Sequence, residues 1–311
     1  MISNEMAYVA LVSSDVQSTC NVLGNILGLP KNDLPCTTSG KSIPVFTVGK
    51  SALAVFEVGD PLVEGQEKPG VHHIALVSNE FEETSNQLTK NGFSKPVKSS
   101  SLGLNDLPLY KIPKTETTGV QTWITSKLNL KPHMGGEIER IDHLGIAVSD
   151  VFASEKIFAN KMGFEVESRQ TDMEVTMAVE SFTSDKYGVV YHNRDPQPVG
   201  GLRVCFITVG DCEFEFLANF NPNQSAEIDY GRPGSTKQDQ GAITKFVNSR
   251  GQGLHHIALK SPNINATLEK LHKAGIPLID YVGRPGSRRA QIGFIHPKGL
   301  GGVLLHVVER T

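Results

Sequence analysis

Four cysteines are all this chain contains, and Cys20, Cys36, Cys205 and Cys212 form no CxxC and no metal-finger spacing. Cys205 and Cys212 sit in strand-like runs and are expected to be buried thiols. No apolar stretch is long enough to span a bilayer. The N-terminus, MISNEMAYVALVSSDV, lacks the basic n-region and long apolar core of a secretory signal. A net charge of −3 offers no basic surplus for nucleic acid or an anionic membrane. These absences predict a soluble, cytoplasmic enzyme or small-molecule binder. At 311 residues the chain has room for about two domains.

What the chain does have is repetition. GVHHIALVS at 70–78 returns as GLHHIALKS at 253–261, with seven of nine positions identical. The match continues at the same offset: Leu88 with Leu271, Lys90 with Lys273, Gly92 with Gly275. Each copy is a strand-like run followed by an amphipathic helix that stops at Lys-x-Gly. MAYVALVSSDVQSTCNVLGNILGL at 6–29 and IDHLGIAVSDVFASEKIFANKMGF at 141–164 follow the same plan, with a Ser-Asp helix start. Four such units indicate duplication of one supersecondary element. The expected fold is α+β: four βαβββ units paired into two open, eight-stranded, cup-like domains. The boundaries are 1–127, a linker at 128–140 around Pro-His-Met-Gly-Gly, and 141–311.

Strand side chains alternate between faces. In the second half four polar residues each stand alone in an apolar strand: His143, Glu215, His256 and His306. One such His is more often a hydrogen-bonded core residue than a ligand. Four, one per expected strand, favour a site for a divalent first-row metal. The repeat provides an internal control, because the same positions in the first half are Tyr8, Ala54, His73 and Trp123. The first half is therefore expected to bind no metal in this way. His72 and His255 face the other side and are expected to serve the fold.

These residues resemble the vicinal oxygen chelate superfamily, which joins glyoxalases, bleomycin-resistance proteins and dioxygenases. IDHLGIAVSD, GLHHIAL, GSRRAQIGFIHPKGLGGVLLHVVE and the helix ITKFVNSRG are similar to methylmalonyl-CoA epimerases. The four-unit layout resembles extradiol and 4-hydroxyphenylpyruvate dioxygenases. The resemblance implies a degenerate first domain and a metal-binding second domain holding one divalent ion (Fe, Mn, Co, Ni or Zn). It implies ligands at His143, Glu215, His256 and the 306 position, where the family has a Glu and this chain has His306. The implied chemistry is proton abstraction next to the carbonyl of a small-molecule carbonyl or vicinal-oxygen substrate, by an epimerase, isomerase or lyase. An Fe(II) dioxygenase and a non-catalytic binding protein are the alternatives. His306 is either ligand or base, Glu215 is also a catalytic candidate, and Glu213 is a second base candidate or a rim carboxylate.

Arg284 and Arg288, in GRPGSRR, would hold an anionic substrate group; otherwise the motif is a turn with solvated charges. A first GRPGS occurs at 231–235. The long segment containing Tyr191 and His192 is expected to form extra strands or a lid. The oligomeric state stays open, with a homodimer as one option.

Overall fold

The computed structural model describes residues 2–63, 65–176, 179–193, 195, 197–220 and 241–310. The first half runs β1 (Met6–Ser13), α1 (Val16–Cys20), β2 (Lys31–Cys36), β3 (Lys41–Val48), β4 (Ser51–Glu57), β5 (Gly70–Val77), α2 (Phe81–Lys90), β6 (Val97–Leu102), β7 (Pro108–Ile112) and β8 (Thr122–Thr125). The second half runs β9 (Arg140–Ala147), α3 (Val151–Glu155), β10 (Glu165–Thr176), β11 (Val179–Ser184), β12 (Gly188–Asn193), β13 (Gln197–Val209), β14 (Cys212–Phe220), α4 (Ala242–Arg250), β15 (Gly253–Lys260), α5 (Ile264–Lys273), β16 (Arg284–Pro285), β17 (Gln291–Ile295) and β18 (Leu305–Glu309).

The strands form two eight-stranded sheets of one topology, β2-β3-β4-β1-β5-β8-β7-β6 and β10-β13-β14-β9-β15-β18-β17-β16. The third unit departs from the simple repeat. Its long segment extends β10 and β13 and adds the hairpin β11–β12 as a separate two-stranded sheet. Tyr191 on that hairpin is exposed.

Side-chain caps start α1, α3 and α5. Asp15 accepts a hydrogen bond from the Ser18 N–H, Asp150 from those of Phe152 and Ala153, and Asn263 from that of Ala266. Buried hydroxyl pairs six residues apart, Ser13–Thr19, Ser78–Thr84 and Ser261–Thr267, tie strand end to helix in three of the four units. Apolar side chains of both halves merge into one core, where Val9, Leu23 and Phe46 join Leu144, Phe158 and Phe214. The connection at 128–140 is pinned to the body. His133 and Gly49 exchange backbone hydrogen bonds, and Ile138 is buried in the shared core. Cys36, Cys205 and Cys212 are buried, and burial pushes the Cys205 thiol up to about 12.

The insides of the two cups differ. The first is filled. Trp123 stacks on His73 with ring centroids 3.6 Å apart, and His73 Nε2 lies 3.2 Å from the Tyr8 hydroxyl. All three are buried, and Ala54 lies in the same apolar cluster as Tyr8 and Trp123. The second cup encloses a cavity.

Candidate metal centre

The four central strands β14, β9, β15 and β18 lie side by side, and their registers bring the expected ligands to one face. Glu215, Gly145 and His256 share one level across the sheet. Glu213, His143, Ala258 and His306 share the next. The first-half ladders repeat this registration. Ala10 pairs with Ala54 and His73, and Ala75 pairs with Tyr8 and Trp123. Trp123 therefore stands where His306 does, and Ala54 where Glu215 does.

His143, Glu215, His256 and His306 are buried and line the cavity. The three imidazoles place ligand nitrogens within 4.8 Å of one another. His143 Nε2 is 3.0 Å from His306 Nε2 and 3.2 Å from Glu215 Oε2, and His256 Nε2 is 3.6 Å from the same oxygen. Ligands about 2.1 Å from one ion stand about 3.0–3.6 Å apart when bond angles are about 90–120°. His256 Nε2 has no hydrogen-bond partner, and neither does His306 Nδ1. Buried polar atoms are normally satisfied, so an orphaned nitrogen among imidazoles and a carboxylate fits a divalent cation.

The charges of the four groups are coupled. Burial opposes charge on His143, but Glu215 and Asp142 outweigh it and raise its pKa to about 9. Burial also opposes charge on Glu215, yet His143 and His256 hold its carboxyl well below the usual range. Burial keeps His256 and His306 neutral, as metal ligands must be. Glu215 and His143 thus favour each other's charged forms.

Three supporting residues were not singled out from the sequence. Asp142 is fully buried, and its Oδ1 is 2.8 Å from His143 Nδ1. Arg310 Nε donates to its other oxygen at 2.9 Å, and Arg140 Nη2 lies at 3.2 Å. Asp142 fixes His143 with Nδ1 protonated and Nε2 toward the site. Gly145 is the second residue: a Cβ there would overlap the His256 ring. The third is Asp172. Its register opposite Leu202, which lines the cavity, puts it on the inner face. Its carboxyl accepts from Gln170 Nε2 at 3.0 Å and from the cavity-lining Ser287 hydroxyl at 3.4 Å. Burial raises its pKa, and the charge of Glu215 adds to the effect.

The remaining candidates separate. Arg284 lines the cavity, with Nε 3.0 Å from Asp280 Oδ1. Arg288 is not among the cavity-lining residues. It forms an ion pair with Glu213, reaches Glu167 at 2.8 Å and covers the Phe206 ring at 3.7 Å. Glu213 is thereby engaged as a counter-ion. The loop carrying Ser287 and Arg288 joins β16 to β17 and crosses the open side of the cup to β10. The crossing places Arg288 and Arg289 at left-handed φ values of 54° and 59°. Asn105 and Asp106 occupy the equivalent positions in the first half, with φ of 55° and 52°. Short polar side chains tolerate that conformation more readily than arginine does. The GRPGS at 231–235 lies outside the described residues.

Residues 142–294 match the profile of the Glyoxalase/Bleomycin resistance protein/Dioxygenase superfamily. They form a domain of that superfamily. Methylmalonyl-CoA epimerase of Bos taurus mitochondria is 23% identical over 196 residues, 62% of this chain and 88% of that protein. The Homo sapiens enzyme is 25% identical over 170 residues, 55% and 73% of the two chains. Uncharacterized protein YqjC of Bacillus subtilis (strain 168) is 23% identical over 172 residues, 55% and 93%. In fold, a variant of 4-hydroxymandelate synthase from Streptomyces coelicolor aligns over 100% of this chain and 94% of its own, at TM-score 0.63 and 12% identity. That fold likeness extends over both halves of this chain.

Proposed function

We propose that the second half is a metal-dependent enzyme that removes a proton next to a carbonyl, as an epimerase, isomerase or lyase. The observation that carries this reading is the convergence of three imidazoles and Glu215 in one buried cavity at metal-ligand spacing. The epimerase relatives favour proton transfer over the alternatives. His143, Glu215, His256 and His306 would hold one divalent ion, which when bound would polarise the substrate carbonyl and stabilise the developing oxyanion. His306 serves as ligand in this scheme, because its Nε2 is 3.0 Å from that of His143.

The base is then Asp172. Glu215 sits between imidazoles and Glu213 is paired with Arg288, whereas the Asp172 contacts are an amide and a hydroxyl. Burial and then the charge of Glu215 raise the Asp172 pKa, the direction that makes a carboxylate a stronger base. Asp172, through the Ser287 hydroxyl, takes the proton from the carbon beside the carbonyl. The C–H electron pair moves to the carbonyl oxygen as an enolate. Returning the proton to the opposite face gives an epimerase, returning it elsewhere an isomerase, and expelling a leaving group a lyase. Arg284, at the cavity wall, would meet an anionic substrate group.

The test is solvent exchange with methylmalonyl-CoA as probe, in D2O, with air and under argon. Deuterium incorporation that is independent of oxygen, needs divalent metal and falls about 100-fold or more in Asp172→Asn supports the proposal. Oxygen consumption in place of exchange would make the site an oxygenase. Exchange unchanged in Asp172→Asn would remove Asp172 as base while leaving the metal reading intact.

A further inference from the structure

A second cavity, of about 360 Å³, lies where the two halves meet, at the starts of β5 and β15. That volume is within the range of small-molecule sites. Its described lining contains no aspartate or glutamate. It contains Lys114 from the first half, Arg250 at the end of α4 from the second, the amides of Gln121 and Gln252, and the imidazoles of His72 and His255. Glycines supply much of the rest, and two of them are required by close approach. Gly253, at φ 149°, would bring a Cβ to 2.9 Å from the Gly119 carbonyl oxygen, and a Cβ on Gly119 would strike the Gln252 backbone. Glycine also lets a bulky anion approach backbone N–H groups.

The charge of this cleft is one-sided. Neither Lys114 nor Arg250 forms an ion pair with a carboxylate among the described residues. Arg250 Nη1 donates to the Pro69 carbonyl at 3.0 Å, which fixes the guanidinium across the junction. Burial first, and then the charges of Lys111 and Lys114, push His72 down to about 4, so this wall is positive without help from histidine protonation.

We propose that the cleft between the halves is a binding site for a phosphate or diphosphate group. Arginine and lysine with no acidic residue in the described lining, amide donors and glycine backbone are the groups that recognise phosphate oxygens. The site is distinct from the metal cavity but adjoins it. His255 lines both, and α4 lends Ala242 and Ile243 to one and Phe246 and Arg250 to the other. A phosphate here could be a free ion or the far end of a phosphorylated ligand.

Isothermal titration of the full chain with inorganic phosphate, pyrophosphate and glycerol 3-phosphate tests the proposal without reference to any reaction. Saturable binding is expected, weakened about tenfold or more in Lys114→Gln and in Arg250→Gln. It should be unchanged in Lys273→Gln, on the exposed face of α5. The Lys114 ammonium makes no hydrogen bond among the described residues, where only its backbone carbonyl is engaged, so K114Q tests the site even if R250Q loosens α4. Tighter binding of the ester than of the free ions assigns the site to a phosphorylated organic ligand; the reverse order assigns it to the free ion. No saturation at millimolar probe, or binding that both variants leave intact, overturns the proposal.

Discussion

Replacing Asp142 with Asn tests how the sheet presents His143 to a metal. The wild-type carboxylate accepts from His143 Nδ1 at 2.8 Å and pairs with Arg310 and Arg140 while fully buried. Asn keeps the shape and removes the charge. Breaking a buried ion pair costs about 3–5 kcal/mol. Arg310 and Arg140 retain 20% and 25% of their side-chain exposure, so water screens part of that loss. A cost of about 2–3 kcal/mol is expected, which lowers the melting temperature of a domain this size by about 5–10 °C. Separately, an amide N–H facing Nδ1 favours the tautomer with the proton on Nε2, the atom needed by the metal. Removing such a partner typically lowers metal affinity 10–100-fold, roughly. Competition with a chelating dye reads affinity, and thermal melting of metal-free protein reads stability. Arg310→Gln separates the two effects, because it destabilises the Asp142 cluster but leaves the Asp142–His143 hydrogen bond. It should lower the melting temperature and hold affinity within a few-fold. Equal affinity losses in the two variants, or none in Asp142→Asn, would refute the reasoning.

Gly145→Ala places a methyl group where the His256 ring lies and should abolish stoichiometric metal binding while costing about 1–3 kcal/mol by urea unfolding. Bound metal at wild-type stoichiometry in this variant would mean that His256 is not a ligand. Acid should destabilise the metal-free protein through the buried neutral histidines. His72 titrates in the fold at about 4 against an ordinary 6.5, so the unfolded chain takes up its proton first and stability falls as pH drops from about 6.5 toward 4. The loss from this one residue reaches about 3 kcal/mol at pH 4, and urea midpoints in His72→Gln should show a shallower acid limb. His143 works on the other side. Its pKa is raised to about 9, so its contribution is complete below about 6.5 and disappears as pH rises through 9. Trp123→His restores an imidazole to the first cup but should bind no metal, because Tyr8 and Ala54 remain. It should also cost about 3–5 kcal/mol from the fully buried stack on His73.

The fold and the convergence of the four candidate ligands on one face were legible because both rest on short-period patterns. A shared offset of 183 residues between two HHIAL strands transfers a register from one half to the other. A lone polar residue in an apolar strand marks the inner face once that register is known. The same offset matches Trp123 to His306 from sequence alone. The supporting residues escaped because their roles arise between strands. Asp142 borders His143 in sequence, but Arg310 reaches it only when the last strand's end comes beside β9. Gly145 matters through a ring on the neighbouring strand. Asp172 lies in a segment whose length indicated extra strands or a lid, and its side chain gains meaning only when Ser287 crosses from the opposite sheet edge. The same crossing takes Arg288 to Glu213, a contact that neither residue's neighbours in sequence announce.

The central claim is that His143, Glu215, His256 and His306 form one metal site. Elemental analysis of purified protein, after equilibration with divalent iron, manganese, cobalt, nickel and zinc in turn, measures it directly when wild type is compared with His256→Ala and His306→Ala. The account predicts one tightly held ion per chain in wild type and loss of it in both variants. Wild-type protein that retains no metal after reconstitution, or an ion that persists undiminished in both variants, would contradict it.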